Sequence, residues 1–205
     1  MKLSYSPTSP YARKVRAVAH LKGISDRIEL VAIDTWNIPE SLRAANPLGK
    51  VPCLTRDDGS SLYDSPVICE YLDRLTPAPS LFPREGEPRW SALRLQALGD
   101  GIMDAAVERY VEMHRPPGTQ MREWSERQAN GIARALDRME SAPEEFAGET
   151  IGTVSLACAL GYLDLRFPGD HWREGRPALA FWYEMCSNQA WMIETAPSLA
   201  RQASK

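Results

Sequence analysis

No Cys-x-x-Cys pair occurs in this chain, and its four cysteines stand far apart, at 53, 69, 158 and 186. That spacing disfavours a paired redox centre and a cysteine-based zinc site. Histidine is scarcer still, with three residues scattered through 205, so no metal site is expected. No run reaches the roughly 18 uninterrupted apolar residues of a membrane span. The opening Met1-Lys2-Leu3-Ser4-Tyr5-Ser6-Pro7 lacks the apolar stretch of a secretory signal. Charge of one sign is not in excess either: 24 basic and 27 acidic residues give a formal net charge of −3, which argues against a broad nucleic-acid footprint. These absences lead to the expectation of a cytoplasmic protein with reduced, mostly buried thiols and no nucleic-acid or membrane partner.

What is present is ordinary globular material, 43% apolar and 25% charged, long enough to bury a core in one large domain or two small ones. Its first part alternates in character. Residues 2–5 read as a strand, 10–22 as a helix stopped by Gly23, and 27–33 as a second strand. Two short strands, 51–55 and 60–63, flank the hairpin signal Asp57-Asp58-Gly59, and Val67, Ile68, Tyr71, Leu72 and Leu75 then follow helical spacing. The order β-α-β-β-β-α predicts a thioredoxin-like sheet over residues 1–76. Proline-rich 77–87 reads as a linker. Residues 88–205 carry only helical patterns, including 89–114, 119–140, an apolar core helix over 154–167 and a last helix after Pro177.

Asn46-Pro47-Leu48-Gly49-Lys50-Val51-Pro52 and Asp64-Ser65-Pro66 are the most informative segments. A cis proline at Pro52 would leave the Val51 N–H and C=O unpaired at a sheet edge, where an extended peptide can dock as an added strand. Ser65 reads as a helix N-cap with Pro66 as the first helical residue. The N–H groups of that turn suit a carboxylate, and Asp64 beside them suits an ammonium. Glutathione combines these parts: an amino-acid head, a peptide middle and a thiol. The alternative for Val51-Pro52 is an ordinary strand start, and for Ser9 an ordinary cap of the helix opening at Pro10.

With Ser6-Pro7-Thr8-Ser9-Pro10-Tyr11-Ala12-Arg13-Lys14-Val15-Arg16 added, and Asp100-Gly101-Ile102-Met103-Asp104 and Leu160-Gly161-Tyr162-Leu163 in the second part, the chain resembles the bacterial cytosolic glutathione S-transferases over essentially its whole length. The resemblance implies the glutathione S-transferase fold: an α/β thioredoxin-like N-terminal domain followed by an all-α domain. It implies a homodimer that uses glutathione as co-substrate, needs no cofactor, and transfers the thiol to a small hydrophobic electrophile in detoxification. A secondary glutathione-dependent peroxidase activity is a further implication. The alternative is a non-catalytic glutathione-binding or stringent-starvation-type regulatory member of the same fold.

On that resemblance Ser9 is the group that stabilises the thiolate, with Thr8, Ser6 and Tyr11 as other hydroxyls nearby. Lys50, Val51, Pro52, Asp64 and Ser65 complete the expected glutathione site. Tyr11, Asp104, Tyr110 and His114 are expected at the acceptor pocket, with Trp36 and Met113 within its reach. Cys53 is expected on a strand facing the core, and Arg13, Lys14 and Arg16 on a solvated helix face. Thr153 is read as the cap of the core helix, without the acid that would return its bond.

Overall fold

The computed structural model describes residues 1–197 and divides into two compact units. The first unit comprises Met1–Phe82 together with the segment from Ala190, and the second comprises Pro83–Gln189. In the first unit, strand β1 (Lys2–Tyr5) leads into helix α1 (Pro10–Leu21), strand β2 (Glu29–Ala32), the short helix α2 (Glu40–Ala45), strands β3 (Cys53–Thr55) and β4 (Ser61–Leu62), and helix α3 (Ser65–Arg74). The sheet order is β2-β1-β3-β4. β1 runs parallel to β2 in the register Leu3↔Leu30, and antiparallel to β3 in the register Ser4↔Cys53. β3 and β4 form the expected hairpin, with Leu54 opposite Leu62. Leu3, Val15, Val18, Leu54, Ile68 and Leu72 are each essentially fully buried and form the core that holds this mixed sheet against α1 and α3.

The segment from Ala190 groups with the first unit, although the sequence pattern had assigned everything after residue 88 to one helical domain. Helix α8 (Ala190–Glu194) is short, and its carbonyl end is covered by basic groups on α1. Arg13 Nη2 donates to the Met192 carbonyl at 2.9 Å, and Arg16 Nη2 to that of Glu194 at 3.1 Å. The expectation of a solvated basic face is therefore corrected: Arg13 is buried and Lys14 wholly so. Lysine and arginine stems pack as apolar matter while their heads satisfy the last carbonyls of a helix. Spacing within α1 gave no hint of this, because the covering segment lies some 180 residues further on.

The second unit contains α4 (Gly86–Met113), α5 (Arg122–Glu140), α6 (Ile151–Arg166) and α7 (Pro177–Ser187). Every residue from Ile151 to Leu163 is buried, so α6 is the core helix around which α4 and α7 pack. Its cap differs from expectation. Thr150, not Thr153, is the N-cap; the Thr153 N–H donates to Thr150 Oγ1 at 3.3 Å, and the Thr150 N–H to Thr153 Oγ1 at 2.9 Å. A threonine hydroxyl thus takes the reciprocal part usually played by an acid. The Glu140 carboxylate, at the end of α5, accepts from the Ala178 and Leu179 N–H groups and closes the start of α7.

α4 and α6 meet through glycine. A Cβ on Gly152 would lie 2.7 Å from the Ala92 carbonyl oxygen and 2.7 Å from Leu95 Cβ, contacts that only a shift of backbone could relieve. Gly152→Ala is expected to destabilise the helical unit by about 1–3 kcal/mol through overpacking. Gly101→Ala, on the same α4 but facing open space, is expected to stabilise by about 0.5–1 kcal/mol through helix propensity alone. Denaturant midpoints of the two variants, which should move in opposite directions, check the close approach.

Candidate functional site

Three segments leave the sheet at one end. β1 runs from Ser4 through Tyr5 towards Ser9, while β3, antiparallel to it, is entered from Val51 and Pro52. β4 pairs antiparallel with β3 and runs out past Leu62 towards Asp64. The registers therefore bring the approach to α1, the Val51–Pro52 step and the start of α3 to the same edge, as strand alternation and hairpin closure require. The peptides Val51–Pro52, Tyr63–Asp64 and Ala78–Pro79 are cis.

Ser9 is the N-cap of α1. Its backbone is extended, its Oγ accepts from the Ala12 N–H at 3.2 Å, and Pro10 opens the helix. The capping bond occupies one lone pair of the oxygen and leaves the hydroxyl proton to be donated elsewhere. Capping and donation to an anion are therefore compatible in one side chain. The nearby hydroxyls differ in access. Ser6 and Thr8 are buried, whereas Ser9 and Tyr11 are half-buried.

The approach to Pro52 is shaped by a residue to which the sequence pattern assigned no role. Asn46 is 1% exposed; its Nδ2 donates to the Lys50 carbonyl at 2.9 Å and its Oδ1 accepts from the Leu48 N–H at 3.1 Å. Its own carbonyl accepts from Gly49, whose φ of +63° is the left-handed conformation that glycine adopts without strain. This side-chain clamp fixes the turn so that Val51 follows in extended register. Among the described residues, the Val51 N–H and C=O have no hydrogen-bond partner. The Lys50 side chain is exposed. The asparagine-proline-x-glycine order could have signalled the clamp, since an asparagine side chain commonly bonds backbone two residues on.

At α3 the sequence reading is off by one residue. Asp64 is the N-cap and accepts from the Ser65 N–H through Oδ1, while Ser65 and Pro66 are the first and second helical positions. Proline is favoured at the first position, which is why the pattern pointed to serine as the cap. The consequence is chemical. Ser65 does not spend its hydroxyl on capping: its Oγ is buried and has no hydrogen-bond partner, in a residue only 1% exposed. An orphaned buried hydroxyl is costly and calls for an explanation. Asp64 itself is exposed, and its second carboxylate oxygen takes no part in the cap.

The cysteines do not supply a nucleophile here. All four are free, and Cys53, Cys69 and Cys158 are buried. Burial pushes the Cys53 thiol up, partly opposed by a hydrogen bond with Ser61, which keeps it protonated on its strand. Cys186 is half-buried, and burial with the nearby Glu149 raises it from 9.0 to about 11. Because the thiolate is the reactive form, alkylation of native Cys186 at pH 8 should run about a hundredfold slower than in the denatured chain and accelerate steadily towards pH 11. Mass-resolved iodoacetamide labelling checks this; equal rates in both states would contradict it.

The remaining expected residues lie in the helical unit. Asp104 and His114 are exposed and Tyr110 is half-buried. Tyr110 and His114 stack with ring centroids 4.2 Å apart, and His114 Nδ1 lies 2.7 Å from the Tyr110 carbonyl oxygen. Trp36 and Met113 are exposed. Among the described residues no group of three or more His, Cys, Asp or Glu side chains could hold a metal ion, and no helix is long and apolar enough to cross a membrane.

Comparison with known proteins places the chain among relatives. The glutathione S-transferase N-terminal domain family matches residues 8–75, and the glutathione S-transferase C-terminal domain family matches residues 122–184. The uncharacterized GST-like protein YibF of Escherichia coli K12 is 34% identical over 98% of this chain and 100% of its own length. A glutathione transferase family member from Pseudomonas fluorescens Pf-5, crystallised with bound glutathione, superposes with a TM-score of 0.93 at 42% identity, over 97% of this chain and 99% of that one. A glutathione S-transferase from Methylobacillus flagellatus KT with glutathione bound gives a TM-score of 0.90 at 40% identity, over 96% and 99% of the two chains.

Proposed function

The chain belongs to the glutathione S-transferase family, and on that premise we propose that it is a glutathione transferase whose first unit binds glutathione and presents it as a thiolate to a small electrophile. The observation that carries the reading is the orphaned Ser65 hydroxyl at the first turn of α3. A buried serine oxygen with no partner, beside a helix N-terminus, suits the α-carboxylate of the γ-glutamyl group. Asp64 then faces the ammonium of the same amino-acid head, and the unpaired Val51 N–H and C=O take the peptide middle as an added strand.

Antiparallel ligand pairing at Val51 directs the cysteinyl side chain towards the segment that leaves β1, where Ser9 caps α1. The Ser9 hydroxyl donates to the sulfur while its oxygen keeps the Ala12 bond, so that the helix dipole and the hydroxyl act on one anion. Thiolate formation and alignment with the acceptor supply the rate.

Calorimetric titration with glutathione tests the binding half directly. Saturable binding is expected, weakened about tenfold to a hundredfold in Ser65→Ala, because the hydroxyl bond to a carboxylate is charge-assisted. No binding at millimolar glutathione, or unchanged affinity in Ser65→Ala, would overturn the site. Binding without turnover of any electrophile would instead favour the regulatory reading.

A further inference from the structure

Asn46 is buried, and both its backbone and its side chain are fully engaged within the first unit. Its N–H donates to the Leu42 carbonyl at 2.7 Å, ending α2, and its carbonyl accepts from the Gly49 N–H at 2.8 Å. In the side chain, Oδ1 accepts from the Leu48 N–H and Nδ2 donates to the Lys50 carbonyl. An N–H can only donate and a carbonyl can only accept, so one orientation of the amide satisfies both. The turn is also packed from the Ile38 side: a Cβ on Gly49 would lie 3.4 Å from Ile38 Cδ1. Leu42, in the core, anchors the helix that leads into it.

We infer that Asn46 is a positioning residue for the ligand, acting through the peptide between Lys50 and Val51. The carbonyl that Asn46 holds and the Val51 N–H belong to that one peptide unit. It is planar and trans, so the two groups point in opposite directions. Fixing the carbonyl towards Asn46 therefore aims the Val51 N–H away from it, as a donor without an internal partner. Linked hydrogen bonds polarise one another, so the bond to the carbonyl also strengthens the N–H as a donor. A ligand strand then meets a donor already oriented and does not have to order the turn on binding. This role rests on the glutathione reading, since it needs a peptide ligand at Val51. It goes beyond that reading by assigning part of the affinity to a buried side chain that the ligand does not touch.

The test compares the unaltered chain with Asn46→Asp, which keeps the acceptor for Leu48 and loses the donor to Lys50. One probe is S-methylglutathione, whose binding needs no thiolate, read by calorimetry. The other is glutathione with a chromogenic electrophile, read as kcat and KM. At a temperature where circular dichroism shows both proteins folded, Asn46→Asp is expected to bind S-methylglutathione about tenfold more weakly. KM for glutathione should rise about as much, with kcat kept within about twofold, because Ser9 stands on another segment. Gly49→Ala strains the same turn at φ +63° without removing a hydrogen-bonding group, and is expected to raise KM in the same way. Unchanged affinity in folded Asn46→Asp would overturn the inference, as would a fall in kcat with KM kept. Should Asn46→Asp fail to fold, an unchanged KM in Gly49→Ala would overturn it. No binding of S-methylglutathione by the unaltered chain would overturn the glutathione reading and this role with it.

Discussion

Ser9→Ala is expected to lower kcat/KM for glutathione and a chromogenic electrophile about 25-fold at pH 7, the fall in thiolate fraction when a thiol pKa returns by ~2 units from about 6.5 to about 8.5. The same substitution removes the α1 cap, worth ~1 kcal/mol of stability, because one oxygen accepts from Ala12 while its proton serves the sulfur. Ser9→Asp separates the two roles. Aspartate caps as well as serine, so thermal stability should be kept. It has no proton to donate at neutral pH and sets a negative charge beside the thiolate, so activity should fall at least as far as in the alanine variant. If the alanine variant loses stability and both variants keep turnover, Ser9 is a cap only and another hydroxyl does the chemistry. Ser9→Thr, which retains both the oxygen and the proton, should stay the most active of the three.

Lys22→Met should destabilise the first unit by about 3–5 kcal/mol, the range for breaking a buried ion pair by removing one partner. Lys22 Nζ is fully buried, 3.1 Å from Asp73 Oδ1, and donates to the Thr76 carbonyl at 2.9 Å and to that of Pro79. The same Asp73 oxygen accepts from the Leu81 N–H at 2.9 Å. One ammonium thereby ties the end of α1 to the end of α3 and to the proline-rich segment beyond it. Methionine fills similar volume but leaves a carboxylate and two carbonyl oxygens facing each other with a single N–H donor between them. The second substitution in Lys22→Met/Asp73→Asn removes the stranded charge and should recover a large part of the loss. Denaturant unfolding checks both; a cost below about 1 kcal/mol for Lys22→Met would place the pair with exposed salt bridges.

The elements that the sequence made legible are those whose signals are local. The α1 boundaries follow from serine-proline at one end and glycine at the other, and the β3–β4 hairpin follows from Asp57-Asp58-Gly59 between apolar runs. The Val51-Pro52 and Asp64-Ser65 segments, which we propose to face glutathione, stood out in the sequence because their chemistry lies in short stretches of backbone and adjacent side chains. What was misread depended on partners distant in sequence or on one-residue offsets. Arg13 looked solvated because nothing near it in sequence announces that α8 covers it, and the full burial of Lys14 has no local sign either. Ser65 looked like a cap because proline favours the first helical position, and Asp64 took the cap instead. Thr150 and Thr153 exchanged parts for a related reason: either threonine can cap, and only the helix start decides which. Asn46 stood in the motif from the outset, yet its clamp on Leu48 and Lys50 is a property of the folded turn. The Lys22–Asp73 pair joins residues about 50 positions apart and left no pattern to read.

One physical claim is central to the proposed function: the first unit binds glutathione as its thiolate. Ultraviolet titration of the glutathione complex, following thiolate absorbance against pH, measures that claim most directly. The bound thiol should titrate about 2 units below the ordinary value of a free thiol near 8.5, and Ser9→Ala should move it back while leaving glutathione bound. A bound thiol that titrates like free glutathione in the unaltered protein would contradict thiolate stabilisation by the first unit.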